Sequence, residues 1–224
     1  MSLEIIPPKQ KKNKKSKINP ILPQPPFLMS ILGPSASGKG VLLSNLLTNK
    51  QFGYNKYFQS IYYISPTIMN DKTGKQIRND DNIITVSDMK VIENMDQFFK
   101  GILEDQERNG NEKTLLILDD MMNYLGKDFS ALCSRFRHSN LSIILSLQHY
   151  KKIPVVCRNN TYYWCIFKTH SEKEIKNIME EIGSQFPDFE GLYKEAVKDK
   201  YHFLYIDIRN RILYKDFKEI LYKY

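Results

Sequence analysis

The chain has no apolar run approaching the ~18 residues that a membrane span requires. It also lacks a signal-type apolar segment near its first residue. Both absences set the expectation of a soluble protein kept in a cytosol-like compartment. Cysteine is scarce: Cys133, Cys157 and Cys165 are odd in number and show no C-x-x-C pairing. That argues against a disulfide framework or a cysteine zinc site, and leaves reduced, partly buried thiols as the expectation. The four histidines show no metal-ligand spacing, and no internal repeat is present.

Negative charge is in deficit, with 33 Lys and Arg against 25 Asp and Glu and a net charge of +8, so the expected partners are anionic. Part of the excess is local. The run "KQKKNKKSK" supplies Lys9, Lys11, Lys12, Lys14, Lys15 and Lys17, and six of the ten prolines precede residue 27. Such a segment buries too little apolar surface to offset its ordering entropy. Residues 1–25 are therefore expected to be a disordered basic arm, and 26–224 a single domain. The lysine run reads as a nucleic-acid contact or nuclear address on one side, and as a solubilising tail on the other.

Beyond the prolines, short apolar runs alternate with helical patterns. Phe27–Leu32, "SIYYIS", "NIITVS", "TLLILDD", "LSIILSLQ" and "YYWCIFK" have strand length, and "HFLYIDI" with "RILYKDF" reads as a terminal pair. Val41–Leu47, Met89–Asn109 and Ser171–Ile182 carry helical spacing, Asp128–Ser139 a helix or turn, and residues 70–82 a polar loop. This alternation predicts an α/β fold with a mostly parallel central sheet flanked by helices.

Between the first strand and first helix lies Gly33-Pro34-Ser35-Ala36-Ser37-Gly38-Lys39, which fits G-x-x-x-x-G-K. Its glycines permit backbone angles that turn successive N–H groups onto phosphate oxygens, and Lys39 supplies a point charge for the β- and γ-phosphates. Hydrolysis also needs a metal anchor and a group that activates water. "LLILDD" ends a buried-type strand on Asp119, expected to hold Mg²⁺ through water, and Asp120, expected to act as general base. Gln148 ends the next strand and is expected to face the γ-phosphate and the attacking water. Arg135, Arg137 and His138 cluster before that strand. Arg137 is the first choice for an arginine finger reaching a neighbour's γ-phosphate, with Arg135 second and Arg158 third; a solvated basic loop or a DNA contact is the competing reading.

Together, "LGPSASGKG", "IYYISPT", "LLILDDM", "SRFRHSNLSIILSLQ" and "IPVVCRNN" resemble the poxvirus-type genome-packaging ATPases of large DNA viruses and virophages. These belong to the FtsK–HerA branch of P-loop motors, and the resemblance covers residues 27 to about 170. It implies an additional-strand P-loop NTPase fold and an ATPase that uses ATP and Mg²⁺ to drive double-stranded DNA into capsids. It further implies a homo-oligomeric ring (hexamer or pentamer), a capsid or portal-vertex partner, and a place in the host cytoplasm, viral factory or virion. By position, Lys39 is the phosphate lysine, Asp119 the Mg²⁺ residue, Asp120 the catalytic carboxylate and Gln148 the sensor.

Gly40 departs from the pattern, because the usual Ser or Thr there ligates Mg²⁺ and glycine offers no such atom. Water can fill a coordination position, since Mg²⁺ takes little of its shell from protein. Ser44, a turn later, is expected to point elsewhere. Weakened Mg²⁺–nucleotide affinity with hydrolysis retained is the resulting expectation. Two other readings compete: a nucleotide-binding, DNA-tethering subunit with little or no ATPase activity because of Gly40, and a small-molecule P-loop kinase. The kinase fits less well, since residues 126–170 contain no arginine-rich lid.

Overall fold

The central strands are continuous apolar runs because both faces of their sheet are covered, the pattern that parallel sheets demand. A computed structural model describes residues 18–108 and 112–224. Nine strands form one sheet: β1 (Leu28–Leu32), β2 (Ser60–Ile64), β3 (Ile83–Val86), β4 (Thr114–Asp119), β5 (Leu141–Leu147), β6 (Tyr163–Phe167), β7 (Phe203–Asp207), β8 (Ile212–Lys215) and β9 (Glu219–Lys223). Their order is β3-β2-β4-β5-β1-β6-β7-β8-β9. The first six run parallel, and β7 to β9 extend the sheet antiparallel. The fold is thus α/β with a mostly parallel sheet, and β5 is the additional strand that separates β1 from β4.

The helices are α1 (Lys39–Thr48), α2 (Lys75–Arg78), α3 (Met89–Glu93), α4 (Met95–Arg108), α5 (Lys127–Arg135), α6 (Val155–Asn160), α7 (Glu172–Glu181) and α8 (Phe189–Ala196). Successive residues of β1 serve opposite faces. Leu28 and Leu32 pack with Phe99 of α4, Phe129 of α5 and Ile178 of α7. Met29 and Ile31 pack with Leu43, Leu46 and Leu47 of α1.

Four expectations change. The helical pattern over Met89–Asn109 is split at Asn94, whose φ and ψ of −108° and 28° leave the helix; its side chain donates to the Lys90 carbonyl instead. The loop over 70–82 contains α2, anchored by buried Ile77. The terminal pair is a three-stranded extension, its last strand having no buried residue to give it an alternating apolar pattern. Finally, the expected arm of residues 1–25 overlaps the domain. Ile18 and Leu22 are 3% exposed, Tyr54 Oη donates to the Pro23 carbonyl at 2.9 Å, and Tyr205 Oη donates to the Ile21 carbonyl at 3.0 Å. Two apolar side chains and a run of prolines suffice to pack this segment although its composition resembles a tail. Lys9, Lys11, Lys12, Lys14, Lys15 and Lys17 lie outside the described residues.

Candidate nucleotide site

β1 delivers the chain at Gly33 into a tight loop that ends at the first turn of α1. The loop tolerates no side chain at two points. A Cβ on Gly33 would lie 2.6 Å from Ser37 Oγ and 2.8 Å from Phe167 Cβ, and Gly38 has φ +112°, which side-chain-bearing residues rarely adopt. Ala36 also has positive φ, 59°, a backbone cost tolerated where function uses the geometry. Gly38 offers α1 no side-chain cap, and the helix has no acidic residue in its first turn. Its leading N–H groups and the positive end of its dipole therefore remain for an anion. Ser37 Oγ, enclosed in the loop, has no hydrogen-bond partner.

Lys39 folds back on this loop and donates to the carbonyls of Gly33 at 2.7 Å and Pro34 at 3.0 Å. Burial holds its pKa below the ordinary lysine value, while Asp120 and Asp119 pull the other way. The two carboxylates come from the end of β4. Asp119 is buried, and Tyr63 Oη on neighbouring β2 donates to its Oδ2 at 2.8 Å. Burial pushes the Asp119 carboxyl up; the Ser146 hydroxyl opposes this, the Asp120 charge adds to it, and Tyr63 and Lys39 oppose it. Burial, then the Asp119 charge, correspondingly raises the Tyr63 phenol.

Asp120 leaves the strand with φ +55°, its N–H donating to the Ser146 carbonyl at 2.9 Å. That left-handed turn aims the next carboxylate away from its predecessor and towards β5. Gln148, one residue past β5, donates from Nε2 to Asp120 Oδ1 at 3.3 Å. A cavity of about 1190 Å³ opens beside these groups, and its lining includes Lys39, Gly40, Asp119 and Asp120 together with Asn19, Phe52, Tyr201 and Phe217. Phosphate donors and two carboxylates therefore share one concave space at the carboxyl ends of parallel strands, where open α/β sheets bind ligands, and the Gln148 carboxamide is hydrogen-bonded to one of those carboxylates. Lysine, helix N-terminus and unsatisfied loop atoms fit a polyphosphate.

The poxvirus A32 protein family matches residues 14–185, well over half of the chain. The chain belongs to that family. Among individual relatives, the DNA packaging protein OPG160 of Vaccinia virus (strain Western Reserve) is 29% identical over 162 residues, 70% of this chain and 58% of that protein. The Variola virus protein of the same name is 28% identical over the same shares. The chain thus spans less than two thirds of these poxvirus relatives. The solved genome packaging NTPase B204 of Sulfolobus turreted icosahedral virus 2, in complex with sulfate, superimposes with a TM-score of 0.64 at 17% identity, over 88% of this chain and 98% of that one. The pCW3 conjugation coupling protein TcpA follows with a TM-score of 0.55 at 13% identity, over 86% of this chain and 60% of that one. At such identities the likeness establishes a shared P-loop ATPase fold.

Against this family frame the expected site residues fall into two groups. Gly33 to Gly40, Asp119, Asp120 and Gln148 converge. The arginines do not. Arg135 and Arg137 are exposed just before β5, at the end of the sheet opposite the phosphate loop. The length of β5 separates them from it by roughly 20 Å, so neither reaches the loop of its own chain. The Arg137 guanidinium lies 5.0 Å from the Tyr162 ring centre, which Arg209 approaches at 4.9 Å. Arg158 is tied inward instead: Nη1 donates to the Ile153 carbonyl at 3.1 Å and Nε pairs with Glu181 at 3.2 Å. Lys151 and Tyr150 also bind Glu181. Arg158 thereby ties the segment after Gln148 to α7.

Tyr63, Thr73 and the aromatic lining of the cavity escaped the sequence reading. Tyr63 sits in an apolar strand run where a tyrosine looks like core. Phe52 and Phe217 meet edge-on at 6.0 Å although they lie 165 positions apart, a proximity that no local pattern signals.

Proposed function

We propose that this chain is an ATP-hydrolysing double-stranded DNA translocase that packages a viral genome, acting as a homo-oligomeric ring against a capsid or portal partner. The observation that carries this is the convergence of Lys39, Asp119 and Asp120 on one cavity, with Gln148 tied to Asp120 by a hydrogen bond at 3.3 Å. Membership of the poxvirus A32 protein family and the packaging proteins among its relatives supply the biological setting. Among the described residues no helix is long and apolar enough to cross a membrane.

The chemistry follows from the residues. Lys39 exchanges two backbone carbonyls for phosphate oxygens, a charge-assisted bond for a charge–dipole one. Gln148 and Asp120 hold a water in line with the γ-phosphorus. As that water attacks, the bond from the γ-phosphorus to the β,γ-bridging oxygen breaks, Asp120 takes the water's proton, and ADP and phosphate leave. Asp119 would hold Mg²⁺ through water, and the ion would neutralise charge on the phosphates. Among the described residues no three His, Cys, Asp or Glu side chains converge closely enough to bind a metal alone, so nucleotide oxygens must complete the shell. Stabilisation of the leaving charge falls to Arg137 of an adjacent copy, since an arginine at the far end of the sheet can act only across an interface.

The test is ATP turnover by the full chain with and without long linear duplex DNA, beside Asp120→Asn. DNA-stimulated turnover that Asp120→Asn abolishes is expected; turnover indifferent to both refutes the translocase. Gly40 favours the second reading, a binding subunit without turnover, and nucleotide bound stoichiometrically yet never hydrolysed would establish it.

A further inference from the structure

Gly40 stands where phosphate loops of this type place a metal-ligating hydroxyl, yet its surroundings are not empty. A Cβ built on Gly40 would lie 2.6 Å from Thr73 Oγ1 and 3.3 Å from Asp71 Oδ2. A hydroxyl oxygen carried by that Cβ would sit about 1.4 Å from it, so the Thr73 oxygen already occupies the neighbourhood that residue 40 would otherwise furnish. The donor comes from the far side of the site, on the segment that follows β2.

That segment is held in place by several independent interactions. The Thr73 N–H donates to Asp71 Oδ1 at 2.8 Å and its hydroxyl to Asp71 Oδ2 at 2.7 Å. With its proton so engaged, the Thr73 oxygen keeps its lone pairs for another partner. Arg78 Nη1 donates to the Asp71 carbonyl at 2.8 Å and also binds the Ile68 carbonyl. Ile68 and Ile77 are 1% exposed beneath it. Ser44 of α1, the other hydroxyl near the loop, donates to Gln76 Oε1 at 3.2 Å and so faces this segment rather than the phosphates. Asp71, Thr73, Lys39, Asp119 and Asp120 all line the same cavity, and the Asp71 charge is felt at Tyr63, the residue that positions Asp119.

The structure assigns to Thr73, oriented by Asp71, the hydroxyl ligand of the nucleotide's divalent cation that Gly40 cannot provide. Gly40 is then the room left for that hydroxyl rather than a lesion, because any side chain there collides with it. Asp71, Asp119 and Asp120 line the cavity beside Thr73, and such carboxylates attract a divalent cation with its nucleotide. This inference rests on the nucleotide reading above.

The experiment is calorimetric titration of the full chain with a non-hydrolysable ATP analogue in Mg²⁺ and in EDTA, reading the ratio of the two dissociation constants. Thr73→Val keeps shape and removes the oxygen. It is expected to lower the Mg²⁺-dependent gain by about tenfold, the scale on which removing one metal-site interaction weakens a metal site, with binding in EDTA unchanged. Gly40→Ser combined with Thr73→Ala returns a hydroxyl to the helix and removes the clash, so it should restore the gain. A Mg²⁺ gain in Thr73→Val equal to that of the parent chain overturns the inference and leaves the nucleotide reading intact. Equal weakening in both buffers also overturns it, since Thr73 then merely shapes the loop. Absence of binding by the parent chain in either buffer defeats the nucleotide reading itself.

Discussion

Replacing Tyr63 by phenylalanine removes one oxygen from a buried strand and leaves Asp119 short of a donor. The phenol donates to Asp119 Oδ2 at 2.8 Å, and both groups are buried. A hydrogen bond to a charged acceptor in such a setting contributes ~1.5–3 kcal/mol. For a chain of this size each kcal/mol moves Tm by ~2–4 °C, so Tyr63→Phe should melt roughly 3–12 °C lower. Burial already raises the Asp119 carboxyl above its ordinary 3.8, with Tyr63 among the groups opposing the rise. Loss of the phenol therefore raises it further. The deficit should be full at pH values above the raised carboxyl's folded value, where Asp119 is ionised. It should shrink as pH falls through the carboxyl's folded value, because a protonated acid needs the donor less. Equilibrium denaturation of Tyr63→Phe, Asp119→Asn and the double variant isolates the pair. In the Asp119→Asn background, replacing Tyr63 should cost clearly less than it does in the parent. Equal losses in the two backgrounds, or a deficit insensitive to acid, would refute a charge-assisted bond.

Arg137→Ala and Asp120→Asn should each abolish turnover when assayed alone, an arginine finger contributing about 10³–10⁵ in rate. Mixing the two chains should recover part of the activity, through interfaces that join an intact Arg137 to an intact Asp120; no recovery on mixing excludes action across subunits. At Glu181, burial pushes the carboxyl up, and Lys151, Tyr150 and Arg158 together more than reverse it, holding it below its ordinary 4.5. Its contribution to stability is thus complete above pH 4.5 and lost as pH falls through the lower folded value. Glu181→Gln should therefore melt earlier than the parent at pH 7 and converge with it in acid, whereas a pH-independent difference would place the effect in packing. Removal of residues 1–17, which spares buried Ile18, should flatten the salt dependence of DNA binding by up to about 0.9 log units for each lysine that had neutralised a phosphate. An unchanged slope would leave the lysine run a solubiliser or address.

Local chemistry made the phosphate loop and β4 readable in the chain. G-x-x-x-x-G-K between a strand and a helix has a backbone reason for each glycine, and a fully apolar strand ending in two aspartates has few uses. Gln148 was legible because it follows a second such strand, and parallel packing brings the ends of β4 and β5 to one edge. Resemblance to the packaging ATPases added the expectation of a motor. Other features depend on chain segments remote in sequence. Tyr63 meets Asp119 only because β2 and β4 are neighbours, and Arg135 and Arg137 lie at the opposite end of the sheet only because β5 runs parallel to β1. Proline and lysine content suggested an arm through residue 25, whereas burial of Ile18 and Leu22 is a tertiary gain that composition does not register. Gly40 shows the division most plainly. By itself the sequence determined that no hydroxyl stands there; the docking of Thr73 beside it was decided by the fold, because a side chain thirty-three positions away occupies the space that glycine leaves.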